Sequence, residues 1–109
     1  MKFVGDGVLL GVVLAAAFPL ARQTPDTFMV YGAGAASCAS WAERLNDKNL
    51  HAVDLNWVFG FVSAAGVFGG VQLKVDANGI EPFVTKYCAE HAQDPITQAA
   101  ASLVGNLRQ

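Results

Sequence analysis

The pattern of hydrophobic and polar positions along this chain predicts four helices after an apolar N-terminal segment. Ser37 can cap the first helix, and apolar positions at helical spacing follow it. The inward residues of this helix are predicted to be Cys38, Trp41, Ala42 and Leu45. Residues 46 to 52 are polar and predict a turn, with Asp54 placed to cap the next helix.

The second predicted helix, residues 55 to 68, is apolar on nearly every side and is therefore expected in the middle of a bundle. Its inner side is predicted to hold Trp57, Phe61, Ala64, Ala65 and Phe68. Gly60 and Ala64 lie four residues apart and would let another helix approach closely. Two glycines end the helix, and residues 71 to 79 predict a loop.

The third helix has the most regular period in the chain, and Pro82 is tolerated there because it lies in the first turn. Its inner face is predicted to hold Ile80, Phe83, Val84, Tyr87, Cys88 and His91. Asp94 and Pro95 are typical of an N-cap and a first helical residue. The fourth helix follows, with an inner face of Ile96, Ala99, Ala100, Leu103, Val104 and Leu107. These patterns predict an all-α domain over residues 37 to 109, a small four-helix bundle.

Two apolar segments raise the question of a membrane. Residues 1 to 21 have the layout of a signal peptide that is cleaved, with Lys2 before a short hydrophobic run, and residues 22 to 36 then predict an extended arm. The uncharged stretch from 55 to 73 is just long enough to span a bilayer. Its polar residues and four glycines favour a buried helix, and the membrane span stays open as the alternative.

The two cysteines fall on inward faces of the first and third predicted helices. If the chain enters an oxidising compartment, a disulfide between Cys38 and Cys88 follows. One alternative joins these cysteines to His51 and His91 as zinc ligands, but like residues stand too far apart for the usual spacing. The other makes Cys88 a nucleophile activated by His91, although no acid is placed to orient the imidazole.

Composition limits the classes of function. The formal net charge is -2 with seven Lys and Arg, so no basic stripe for nucleic acid is present. Carboxylates stand singly at predicted helix ends and loops, which caps and solvent contacts explain. They are Asp47, Asp54, Asp76, Glu81, Glu90 and Asp94. The aromatic residues lie at helical spacing and predict a core more than a ligand pocket. We therefore expect neither an enzyme nor a cofactor.

Four stretches of the chain, between residues 31 and 107, carry a family resemblance. They are YGAGAASCASWAERL, NWVFGFVSAAGVF, IEPFVTKYCAEHAQDP and ITQAAASLVGNL. Together they resemble the HdeA-like superfamily of small periplasmic helical proteins, which includes acid-stress chaperones and immunity proteins against type VI secreted amidases. The resemblance implies a signal peptide, an all-helical domain and one disulfide corresponding to Cys38 and Cys88. It supplies no catalytic residues.

The expected function is a non-enzymatic, periplasmic or secreted protein-binding domain, either an immunity or inhibitor protein or a stress chaperone. Its partner would be a secreted effector or an acid-unfolded client, and a homodimer is a further option. The predicted contact residues lie in the two loops. They are Asp47, Lys48, Asn49, His51, Lys74, Asp76 and Asn78. A small-ligand carrier with an aromatic core and a small membrane protein are the alternatives.

Overall fold

The computed structural model describes residues 28–70 and 72–108, and this part of the chain is all-helical, as predicted. Four α-helices follow a short 3-10 helix at Gly32–Ala35. They are α1 (Cys38–Arg44), α2 (Lys48–Gly69), α3 (Ala77–Glu90) and α4 (Ile96–Leu107). The predicted signal peptide and residues 22 to 27 of the predicted arm lie outside the described residues.

A disulfide between Cys38 and Cys88 joins α1 to α3, with 4.7 Å between the two Cα atoms. Ser37 caps α1 as predicted, because its hydroxyl oxygen accepts a hydrogen bond from the backbone N–H of Ser40. Cys38 and Trp41 are buried beside the bridge, also as predicted. Since each sulfur is bonded to the other, neither cysteine is a free thiol for the zinc set or for the nucleophile hypothesis.

The turn between α3 and α4 closes the N-terminus of α1. The backbone N–H of Cys38 donates to the carbonyl of Asp94 at 2.7 Å, and that of Ala39 donates to Ala92 at 2.9 Å. In return, the N–H of Ile96 donates to the carbonyl of Ala36 at 2.8 Å. These bonds satisfy N–H groups that a helix end leaves without intrahelical partners. The disulfide therefore holds α1 against α3, and these backbone bonds hold the start of α1 against the turn that leads into α4.

Helix α2 differs most from the prediction. It begins at Lys48 because the carboxylate of Asp47 accepts the N–H groups of Asn49 and Leu50, so the predicted turn over residues 46 to 52 is largely helical. Asp54, the predicted cap, is instead buried inside the helix and accepts a hydrogen bond from Nε of Arg44 at 2.9 Å. The central position expected for this helix is also wrong, because its buried residues are only Asp54, Val58 and Val62.

The faces of α3 and α4 are largely as predicted, whereas their first residues differ. Asp76 caps α3, so the helix starts at Ala77 and shortens the predicted loop. The N-cap position of α4 is held by Pro95, while the carboxylate of Asp94 accepts a hydrogen bond from the hydroxyl of Tyr87. Their buried residues are Ile80, Val84 and Cys88 in α3, and Ile96, Ala99, Ala100, Leu103 and Val104 in α4.

The core is mostly aliphatic, which corrects the prediction of an aromatic interior. Trp41 is the one fully buried aromatic residue of the described part. Most other aromatic side chains are partly buried around the core, and Phe68 is 88% exposed although the sequence placed it on an inner side. Trp57 packs instead over the 3-10 helix, where its Nε1–H donates to the carbonyl of Tyr31 at 2.7 Å. Part of the expected extended arm is thus folded onto α2.

We predict that Gly34→Ala will lower the free energy of unfolding by roughly 1–3 kcal/mol. Gly34 is buried in the 3-10 helix, and a Cβ there would overlap the indole ring of Trp57. Gly105→Ala is the matched control, because a Cβ at that position of α4 meets open space. The control should gain about 0.5–1 kcal/mol from helix propensity. Equal effects of both substitutions in chemical denaturation would contradict the packing of Trp57 on Gly34.

Candidate functional site

One face of α2 is exposed along the helix. The helix is long and apolar enough to cross a membrane, yet only 17% of an apolar 18-residue stretch within it is buried. Among the exposed positions, five follow one another at alternating spacings of three and four. They are Val53, Asn56, Gly60, Ser63 and Val67, and we call them the α2 seam. They lie on the side opposite the buried Val58 and Val62, because a helix turns about 100° per residue.

The seam is uncharged and shallow at its middle. No charged residue occurs between positions 55 and 73 of the sequence. A Cβ added at Gly60 would meet no atom within 4 Å, so the close helix approach expected at Gly60 and Ala64 is not made within the described part of the chain. Val53 and Val67, near the two ends, are 57% and 74% exposed. An uncharged stripe with an exposed valine at each end is a candidate contact surface.

An apolar groove lies beside the first described residues. It has a volume of about 920 Å³, and its walls come from the arm, from α2 and from the start of α4. Its lining residues are Phe28, Met29, Val30, Ala35, Phe61, Pro95, Thr97 and Gln98. Phe61 is held by stacking on Trp57, with 5.5 Å between the ring centroids. The exposed methionine and phenylalanine at the rim are residue types that are enriched in protein interfaces.

The seven predicted contact residues do not form one cluster. Those from 47 to 51 belong to the cap and first turn of α2, and Lys74, Asp76 and Asn78 surround the start of α3. Six of the seven are exposed, whereas the His51 side chain is only 14% exposed. Within the described part of the chain, no hydrogen bond or ion pair joins the two groups. They stay candidate contact residues on two separate surfaces.

His51 belongs to a small polar cluster that the sequence analysis missed. Its Nε2 contacts the carboxylate of Glu81 on α3, and the Trp41 ring packs edge-on against it at 5.0 Å between centroids. The Nε1–H of Trp41 donates to the hydroxyl of Thr85 at 3.1 Å. Nδ1 of His51 is buried without a hydrogen-bond partner among the described residues. Such a cluster ties α1, α2 and α3 together. If Asp47 had been recognised as the N-cap of α2, the sequence would have placed His51 on a face of that helix.

No group of three or more metal-ligating side chains comes together in residues 28–70 and 72–108. His91 lies at the end of α3, where its ring stacks on Tyr87 at 4.2 Å between centroids. Its Nδ1 is 4.0 Å from a carboxylate oxygen of Asp94. His91 is thus a half-buried residue at the end of the inner face, with its side chain 47% exposed.

The hydroxyl of Tyr87 donates a hydrogen bond of 2.6 Å to Asp94, and this bond, together with desolvation, raises the pKa of Tyr87 above 10.0. Ionised Tyr87 would lose that bond and face a like charge. A group whose pKa is higher in the folded state stabilises the fold below its unfolded pKa and loses this effect as pH rises. The contribution of Tyr87 should therefore be complete below about pH 10 and decline as the pH rises through the higher pKa of the folded state.

We predict that ultraviolet titration of the folded protein will show a phenol that ionises late. The late transition should vanish in Tyr87→Phe, because that variant lacks the hydroxyl bonded to Asp94. Tyr31→Phe is the control, since Tyr31 is the other tyrosine of the chain and is exposed. A late transition lost in Tyr31→Phe and kept in Tyr87→Phe would contradict the assignment.

Comparisons of the chain with protein-family models, with curated proteins and with solved structures found no match.

Proposed function

We propose that this chain is a non-enzymatic protein-binding domain of the bacterial cell envelope. In this role it is an inhibitor or immunity partner of a secreted protein, or a stress chaperone for unfolded ones. The observation that carries the proposal is the apolar groove with Phe28 and Met29 exposed at its rim, on a domain whose core is closed by a disulfide. Soluble monomeric proteins rarely leave large apolar patches open unless these bind something.

The covalent chemistry supports the proposed compartment. Disulfides persist in oxidising compartments and are rare in the reducing cytosol. The bridge between Cys38 and Cys88 is compatible with the periplasm or the cell exterior, and the layout of residues 1 to 21 adds to this reading. The motifs that resemble those of HdeA-like proteins support the same location. They do not distinguish an immunity protein from a chaperone, so the proposal includes both roles.

The groove is the surface to test. The double variant Phe28→Ser with Met29→Ser removes two exposed apolar side chains at the rim. Phe68→Ser is the control, because Phe68 is even more exposed than Phe28 and Met29 but does not line the groove. Two readouts separate the roles. Inhibition of a secreted enzyme encoded beside this chain indicates an immunity protein, and reduced light scattering of a client unfolded in acid indicates a chaperone.

The proposal predicts that one of these activities is present, that the double variant reduces it at least about tenfold, and that the control keeps it. A chain that neither inhibits the neighbouring enzyme nor suppresses aggregation would overturn the proposal. Equal losses of activity in the double variant and in Phe68→Ser would indicate that the binding surface is not the groove.

Membrane association is a second candidate, favoured by the length, hydropathy and exposure of α2. Against it, Asp54 of this helix forms an ion pair with Arg44. Asn56 and Ser63 are also exposed on the surface of the helix. Charged and polar groups are costly in the hydrocarbon core of a bilayer. Carbonate extraction of membranes decides between them: release of the chain supports the soluble domain, and retention supports the membrane protein.

A further inference from the structure

We propose that a second copy of this chain covers the α2 seam, with the two α2 helices antiparallel and crossing at Gly60. The proposal is independent of the groove and of the partner bound there. It starts from the spacing of the seam, because exposed residues at alternating steps of three and four occupy the a and d positions of a heptad repeat. That pattern is typical of a helix face that packs against another helix.

The two ends of the seam are symmetrical about its centre. Val53 and Val67 each lie seven residues from Gly60, on opposite sides. An antiparallel pair with a two-fold axis at Gly60 therefore brings Val53 of one copy against Val67 of the other, twice. Asn56 then faces Ala64 of the second copy, one residue from Ser63. A two-fold interface requires this self-complementarity, which an unrelated partner would not need.

The shape of the seam suits a close crossing. Gly60 has open space where a Cβ would be, and the half-buried rings of Trp57 and Phe59 flank it at neighbouring positions. A second helix can lie in this trough with its own Gly60 at the crossing point. Helix axes approach to about 8 Å only where the contact residues are small. The aromatic side chains then contribute apolar area on both sides of the trough.

Charges favour the antiparallel direction. The seam residues are uncharged, so the pairing brings no like charges together along its length. An antiparallel pair also places the positive N-terminal end of each α2 dipole near the negative C-terminal end of the other, and opposite dipole ends attract.

The surface area that this pairing can bury predicts the strength of the dimer. Val53 and Val67 lie about 21 Å apart along the helix, at 1.5 Å per residue. Burying a whole aromatic side chain removes about 150–250 Å² from water, and the partly buried Trp57 and Phe59 can each add only a part of that area. Specific interfaces begin near roughly 600 Å² per partner, so one helix face with two flanking rings gives an interface at the small end of that range. We therefore expect a reversible dimer whose population depends on concentration.

Charge substitutions at the two ends of the seam test both pairing and direction. Val53→Lys or Val67→Glu alone should raise the dimer dissociation constant at least about tenfold, because each places a charge against valine. Combining the two substitutions should restore the wild-type dissociation constant to within about threefold, because opposite charges then meet twice in the antiparallel pair. In a parallel pair the same combination would juxtapose like charges, so no recovery would occur.

The measurement is sedimentation equilibrium of the oxidised full chain over a range of concentrations. Circular dichroism of each variant confirms that it is folded. Phe68→Lys is the control, since this exposed residue lies outside the seam and should leave the dissociation constant unchanged. A wild-type chain that stays monomeric, or single seam variants that dimerise as the wild type does, would overturn the proposal. So would binding to phosphatidylcholine–phosphatidylglycerol vesicles that Val67→Glu abolishes, because lipid would then cover the seam.

Discussion

Replacing both cysteines, with Cys38→Ala and Cys88→Ala together, is expected to lower the free energy of unfolding by about 4 kcal/mol. The bridge joins residues 50 positions apart, and its removal restores the conformational freedom of that loop to the unfolded chain. Domains of this size are stable by only about 0.05–0.15 kcal/mol per residue, so the loss approaches the whole stability of the fold. Both cysteines are also buried in the core, where shorter side chains leave less packing.

Chemical denaturation of the oxidised protein and of the double variant measures this difference. A reductant provides the control: it should destabilise the native chain and leave the double variant unchanged. A loss below about 1 kcal/mol would mean that the unfolded chain gains little freedom from opening the loop. The expected result also explains why a reducing compartment suits this domain poorly, which is the physical link between the bridge and the proposed location in the cell envelope.

The elements that the sequence predicted well are those whose two sides differ. In α3 and α4, apolar residues recur at helical spacing between polar ones, so the pattern identifies the buried face. Ile80, Val84 and Cys88 are accordingly buried, and so are Ile96 and Leu103. The partners of the disulfide were predictable for the same reason, because each cysteine falls on such a face.

Helix α2 could not be oriented in this way. Its residues are apolar on nearly every side, so the sequence contains no contrast between a covered and an open face. Which side is buried depends on the helices around it, and they cover Val58 and Val62 while leaving Val67 and Phe68 open. The start of α2 was ambiguous as well, because Asp47 and Asp54 are both residues that can cap a helix.

The cluster around His51 depends on distant residues and was therefore beyond sequence reasoning. Glu81 is 30 positions away and Trp41 belongs to another helix. Neither periodicity nor spacing links such residues, since only the packing of α3 against α1 and α2 brings them together. The groove at Phe28 has the same origin, because its walls come from the arm, α2 and α4.

Arg44→Ala is expected to lower the free energy of unfolding by about 3–5 kcal/mol, because it leaves the carboxylate of Asp54 buried without its charged partner. Asp54 is 2% exposed, and Nε of Arg44 donates to it at 2.9 Å. Arg44 itself is 31% exposed. Asp54→Ala should therefore cost less, since the guanidinium left behind can turn toward water. The order of these two effects follows from burial alone.

A double variant separates the value of the pair from the cost of breaking it. Arg44→Met combined with Asp54→Leu removes both charges and fills the space with apolar side chains, so its stability should lie within about 1–2 kcal/mol of the native protein. Denaturant unfolding of both single variants and the double variant completes a thermodynamic cycle. If Arg44→Ala lowers the free energy of unfolding no more than Asp54→Ala does, the carboxylate of Asp54 must reach solvent in the folded variant. The ion pair would then connect α1 to α2 without stabilising a buried charge.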